Sequence, residues 1–149
     1  QYLPGRELTI SVLGNDRLQV FAPWELWFEN LPAGAAPIQT SRTKWDDDYA
    51  ARIGMRTGKA RDLGRDLELE LDRIARRTYR ALGLSGFARI DLRLDAECQP
   101  YVIEVNCNPD LTPGEDFPES AKSVGLNYAQ LVQRLLNLGI GYKSAWKVE

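Results

Sequence analysis

The sequence predicts an α+β fold, an antiparallel sheet covered by helices. Three observations carry that expectation. Strand-like alternation of apolar and polar residues occurs near the start and again, as a hairpin, past the middle. Two longer segments repeat apolar residues at helical spacing. These strands and helices segregate along the chain instead of alternating as β-α-β units.

From Glu7 to Leu13, Leu8, Ile10 and Val12 fall on one face and Glu7, Thr9 and Ser11 on the other, the pattern of a half-buried strand. Gly14-Asn15-Asp16 is a turn signal, and Leu18 to Phe21 reads as the return strand. Residues 30–43 contain Pro32, Gly34 and Pro37 and read mostly as loop. From Asp62 to Leu82, residues Leu63, Leu67, Leu71, Ile74, Thr78 and Leu82 form one helical face. The charged residues between them read as its solvated side, and Gly83 is a stop. Residues 107–118 are rich in Pro and Gly and read as loop. Asn127 to Leu138 reads as a helix with Asn127 as cap and Gln130 in the capping-box position. Its expected core face is Tyr128, Leu131, Val132, Leu135 and Leu136, and its expected end is Gly139. In the tail, Trp146 is expected to pack against the body.

The hairpin runs from Phe87 to Asp95 and from Pro100 to Asn106. With Ala96 to Gln99 as the turn, Ile90 faces Val105, Leu92 faces Ile103 and Leu94 faces Tyr101, an apolar face that fixes the register. The other face then pairs Asp91 with Glu104 and Arg89 with Asn106. Directly opposed side chains lie within ~5.5 Å at Cβ. Carboxylates that close repel unless something positive lies between them. Arg89 could be that partner. Asp, Glu and an Asn carbonyl are also hard oxygen donors of the kind Mg²⁺ takes. The plainer alternative is a cluster of cross-strand ion pairs on a solvated face.

Composition narrows the chemistry. The chain has 149 residues, a net charge of −2, two cysteines and no histidine. That size suits one domain with one core. The mixed charges argue against a nucleic-acid surface, and no run reaches the ~20 apolar residues of a membrane helix. Two cysteines do not make a disulfide framework, which points to the cytoplasm. Without histidine there is no Ser-His-Asp or Cys-His catalysis, so carboxylates, Lys, Arg and amides must carry any reaction. Asp46-Asp47-Asp48 reads as a solvated run or helix start, and Cys107 as a small filler.

The segment GFARIDLRLDAECQPYVIEVNCNPDL, followed by AKSVGLNYAQLVQRLLNLG, resembles the ATP-grasp fold. More closely, it resembles the C-terminal part of D-alanine–D-alanine ligases and their relatives. YLPGRELTISVLGN resembles the family's strand after the adenine hinge. The resemblance implies an ATP- and Mg²⁺-dependent carboxylate–amine ligase working through an acyl phosphate. Asp91, Glu104 and Asn106 match the ligands of two Mg²⁺ ions, and Arg89 matches the arginine that steadies the reacting acyl group. Glu7 matches the ribose-binding glutamate and Leu3 the adenine hinge. Lys44 with Trp45 resembles a lysine–aromatic pair on a mobile loop. Taken singly, Glu7 also fits a polar strand face, Lys44 a surface lysine and Leu3 a core position.

The resemblance begins at the hinge. It implies that residues 1–149 are one partial domain, the C-terminal half of an ATP-grasp domain, whose other half and N-terminal domain are partners elsewhere. The start at Gln1 without Met also suggests a piece of a longer protein, which could be a homodimer. The isolated chain is then expected to bind ATP poorly or not at all. Two departures stand out. Asp110 replaces the family's glycine after Pro109, where a backbone N–H can still donate. In DLTPGEDFPES, Glu115 takes the place of a serine that holds the acceptor's carboxylate, and a glutamate repels such a group. The acceptor amine is then expected to be basic or to lack a free carboxylate. Two further classes remain open on the residues: a metal-dependent nuclease or phosphatase, and a non-catalytic ligase-like module.

Overall fold

The computed structural model describes residues 2–143; the expected packing of Trp146 lies outside them. The elements are β1 (Glu7–Leu13), β2 (Gln19–Val20), β3 (Trp24–Phe28), α1 (Ser41–Trp45), α2 (Asp47–Arg52), β4 (Met55–Lys59), α3 (Arg65–Ala81), β5 (Phe87–Leu94), β6 (Pro100–Asn106), α4 (Asp116–Ser123) and α5 (Tyr128–Ile140). One sheet runs β4-β3-β1-β5-β6, with β2 paired to β1. Every pairing is antiparallel. The fold is α+β, as the sequence predicts.

The period-two alternation of β1 and β5 divides the sheet into two faces. Leu8, Ile10, Val12, Ala88, Ile90, Leu92 and Leu94 are fully or almost fully buried on one side, against Leu71, Ala75 and Tyr79 of α3. On the opposite side, Leu13 packs with Phe21, with Phe117 and Ala121 of α4, and with Leu131 of α5. Phe117 meets Phe21 and Phe87 edge-on at 5.6 and 5.5 Å, a favourable aromatic geometry.

Several expectations need correction. The long helix begins at Arg65, three residues later than the pattern implies, because Asp62 takes a left-handed φ of 53°. Its centre line is Leu71-Ala75-Tyr79, and Leu82 is 56% exposed beyond its end. Gly83, with φ 62°, makes the expected stop. In α5, Asn127 and Gln130 do form the capping box, but the helix runs on to Ile140. Tyr128 and Leu136 are exposed; Leu131 alone on that helix is fully buried, because α5 touches the body along a narrow line. Residues 107–118 are not all loop: α4 starts at Asp116, with Pro118 in the first turn, where a missing N–H costs nothing. β3 and β4 are strands that the sequence reading passes over.

The hairpin register is split. Arg89–Asn106, Ile90–Val105 and Asp91–Glu104 pair as expected, but a bulge between Asp91 and Leu92 shifts the rest. Leu92 then faces Val102 and Leu94 faces Pro100. β6 is an edge strand, so Tyr101 and Ile103 of the expected core face are wet, Ile103 being 61% exposed, whereas Val105, paired with Ile90 before the bulge, packs against the core as expected. No helix among the described residues is long and apolar enough to cross a membrane.

Candidate active site

The second face of β1 and β5 forms three successive cross-strand rungs. Glu7 opposes Arg93, Thr9 opposes Asp91 and Ser11 opposes Arg89. β6 adds Asn106 beside Arg89, and β3 and β4 extend the floor through Leu26 and its partner Thr57. This floor lies beneath a cavity of about 600 Å³. One wall is α1 and α2, contributing Thr43, Lys44 and Asp47; another is the turn leading into α4, with Gly114, Glu115 and Asp116.

Local chemistry holds these walls in place. Thr40 caps α1 and Thr43 returns the bond, completing a capping box. Asp46 caps α2 by accepting from the Tyr49 N–H at 2.9 Å, so the acidic run is a helix start, as one reading of it held. The Ser120 hydroxyl of α4 lies 3.0 Å from that of Ser11, both buried, which fastens α4 to the floor. Lys44 lies beside the exposed Trp45, its Nζ 5.4 Å from the ring centre.

On the floor, Arg89 donates Nε to Asp91 Oδ1 at 2.7 Å and Nη2 to Oδ2 at 2.8 Å. That bond raises the Arg89 pKa against the opposing effect of burial. Asn106 Oδ1 accepts from the Asn108 N–H at 2.9 Å, which aims its amide as the strand ends. Asp116 is pushed up by burial, partly offset by a bond with Thr57 and by the charge of Arg89. Glu7 is also pushed up by burial, although Arg93 and the Gln39 backbone pull the other way. In contrast, Asp110 is held down by bonds with Thr112.

Glu7, Lys44, Arg89, Asp91 and Asn106 all line the cavity, and so does Glu115. Glu104 is directly opposite Asp91 but exposed, and neither it nor Leu3 lines the cavity. Leu3 takes part through its backbone: its carbonyl accepts from Arg93. Cys107 is exposed, which corrects its reading as a filler. Among the described residues no three His, Cys, Asp or Glu side chains cluster as a metal site. A cation here would rest on the two acids and the amide oxygen, a hard donor set of the type that leaves room for water and phosphate.

Thr57 and Asp116 line the cavity and Arg93 pairs with Glu7 beside it; the sequence reading singles out none of the three. Arg93 had a signal: it follows Arg89 and Asp91 at spacing two, on the same face of β5. Asp116 had none, since its place depends on a helix hidden by its proline.

A family model described as "D-ala D-ala ligase C-terminus" matches residues 1–137. The D-alanine–D-alanine ligase of Synechococcus sp. (strain JA-3-3Ab) is 34% identical over 142 residues, covering 91% of this chain and 38% of the relative. The ATP complex of the Bacillus anthracis D-alanine–D-alanine ligase superposes with a TM-score of 0.71 at 21% identity, over 93% of this chain and 41% of that one. The VanG D-Ala:D-Ser ligase of Enterococcus faecalis gives a TM-score of 0.70 at 25% identity, over 93% and 37%. The chain thus spans less than half the length of the relatives it matches. By its sequence, and by a fold shared with ATP-grasp ligases, the chain belongs to the D-alanine–D-alanine ligase family, whose C-terminal segment it matches.

Proposed function

We propose that this chain is the C-terminal half of an ATP-grasp domain in an ATP-dependent ligase that joins a carboxylate to an amine. The observation that carries the reading is that Glu7, Lys44, Arg89, Asp91 and Asn106 share one cavity in a chain of this family. The Bacillus anthracis relative is described in complex with ATP, which supports nucleotide as the phosphoryl donor.

In this reaction a substrate carboxylate takes the γ-phosphoryl group, ADP leaves, and an amine then displaces phosphate from the acyl phosphate. Negative charge builds up on the phosphoryl and acyl oxygens, so the site must supply positive charge and oriented donors. Arg89, fixed by Asp91, faces that region. Lys44 approaches from α1 toward the phosphates. Glu7 accepts from the ribose hydroxyls, and the backbone at Leu3 borders the adenine. Asp91, Glu104 and Asn106 would hold Mg²⁺, two ions in the reading by resemblance, which supplies charge neutralisation on the phosphates when bound.

The acceptor end is negative. Glu115 and Asp116 line it, and Arg89 is already committed to Asp91. An acceptor carboxylate placed there is repelled, so the acceptor is an amine that is basic or lacks a free carboxylate. The relatives' names already show that the second substrate varies within the family, D-alanine in one and D-serine in another.

The test is Mg²⁺-dependent phosphate release from ATP by the full-length protein, with a panel of carboxylates and amines. Asp91→Asn and Glu104→Gln should each abolish it. Turnover unaffected by both substitutions rejects the roles given to Asp91 and Glu104, and a wild-type protein with no turnover on any pair rejects the reading in favour of a non-catalytic module.

A further inference from the structure

Arg93 is a charged residue only 6% exposed, yet among the described residues Glu7 is the one cavity-lining side chain with which it forms an ion pair. Its guanidinium is spent almost entirely on backbone carbonyls from two distant segments. Nε donates to the Leu3 carbonyl at 2.7 Å. Nη2 donates to the Gly5 carbonyl at 3.0 Å and to the Pro37 carbonyl at 3.1 Å. Nη1 donates to Glu7 Oε2 at 2.7 Å. The Tyr2 hydroxyl lies at 3.5 Å and the Tyr2 ring centre at 5.2 Å.

This set is not an ordinary ion pair. A buried Arg–Glu pair replaced by apolar side chains often leaves stability unchanged or improved, so stability alone is a weak reason for one. The geometry shows another use. One planar fork fixes the hinge residues 3–5, the Glu7 carboxylate and the loop that leads into α1 with Lys44. Lysine has no comparable fork, and an apolar residue has no donor at all. The hinge is drawn in tightly: a Cβ on Gly5 would sit 2.5 Å from the Leu94 carbonyl oxygen, and the Gly5 N–H donates to that oxygen at 3.1 Å.

We infer that Arg93 is a positioning residue for the nucleoside end of the cavity, holding the Glu7 carboxylate and the Leu3–Gly5 backbone so that a nucleotide's vicinal diol and base are accepted. The inference rests on the ligase reading for the identity of the ligand. With Arg93 on Oε2, Glu7 stays in place facing the cavity and keeps lone pairs for two adjacent hydroxyls. Without Arg93, Glu7 can rotate and the hinge carbonyls lose their shared anchor. Affinity should then fall most for ligands that carry the diol, while Asp91, one rung away, and Arg89 and Asn106, two rungs away, keep their arrangement.

The experiment measures binding of ATP and of 2′,3′-dideoxy-ATP, with Mg²⁺, to the full-length protein and to its Arg93→Met and Arg93→Lys variants by calorimetry, with thermal melts alongside. Expected are a wild-type preference for ATP, a loss of about tenfold or more in ATP affinity in Arg93→Met with a clearly smaller loss for the dideoxy analogue, which keeps the base but lacks the diol, and an intermediate preference in Arg93→Lys. A folded Arg93→Met variant that keeps the wild-type preference, or that loses both ligands equally, overturns the inference. Should Arg93→Met not fold, Arg93→Lys decides alone: an unchanged preference overturns the inference and a reduced one supports it. Wild-type protein that binds ATP while the variants behave like it overturns this inference only; wild-type protein that binds neither nucleotide overturns the ligase reading and this inference with it.

Discussion

Arg89 and Asp91, two positions apart on β5, project from the same face and lock in a two-point ion pair, Nε to Oδ1 at 2.7 Å and Nη2 to Oδ2 at 2.8 Å. The strand's alternation puts them side by side, and partial burial strengthens the bond. Asp91→Asn breaks it and leaves a half-buried guanidinium without its counter-charge. The expected cost is about 2 kcal/mol of folding stability, present without ATP or Mg²⁺. Urea titration of this chain checks it; an unchanged midpoint means the pair does not form in solution.

Glu115→Ser removes the charge at the acceptor end. In the full-length protein, kcat/KM for D-alanine as acceptor should rise relative to D-alaninamide by about tenfold. Quantifying the two coupled products in parallel reactions gives the ratio. A ratio that stays at its wild-type value shows that Glu115 does not face the acceptor.

Asp116 carries a pH signature. Burial raises its folded pKa above the unfolded value. Its favourable contribution is therefore complete below the ordinary aspartate range and is lost as pH rises through the raised value. Asp116→Asn does not titrate, so its stability relative to wild type should improve as pH rises from the ordinary aspartate range through the raised value. Paired thermal melts across that range measure the trend. A difference that does not vary with pH rules the effect out.

Tyr79 lies in the core with its hydroxyl donating to the Gly14 carbonyl at 2.9 Å, and burial pushes its pKa up to about 12. Tyr79→Phe leaves that carbonyl without its partner and should cost about 1 kcal/mol. The position is sensitive because Gly14, with φ 137°, ends β1 in a conformation that other residues rarely adopt. Denaturant melts of the variant test the loss, and spectrophotometric titration of wild type should show one phenol ionising late.

The hairpin shows how far the residues could be read directly. Alternation alone orients Ile90 and Leu92 inward and Arg89 and Asp91 outward, and turn length alone pairs Asp91 with Glu104. The bulge after Asp91 left no mark in the sequence, because an extra residue on one strand changes pairing without changing composition. Asn127 and Gln130 announce their capping box through residue type, whereas Pro118 concealed α4 because proline is read as a breaker even where a first turn accepts it.

Local pattern therefore determined the amphipathic strands, the α3 and α5 helices and the convergence of Arg89, Asp91 and Asn106, since each depends on spacing within one or two neighbouring segments. The tertiary structure decided what depends on distant segments meeting: the exposure of β6 as an edge, the entry of Lys44, Glu115 and Asp116 into one cavity, and the partners of Arg93. A guanidinium's partners here are carbonyls at Leu3, Gly5 and Pro37, and every residue type supplies the same carbonyl. Side-chain chemistry can be read in a sequence; which backbone atoms it will meet is fixed only when the chain has folded.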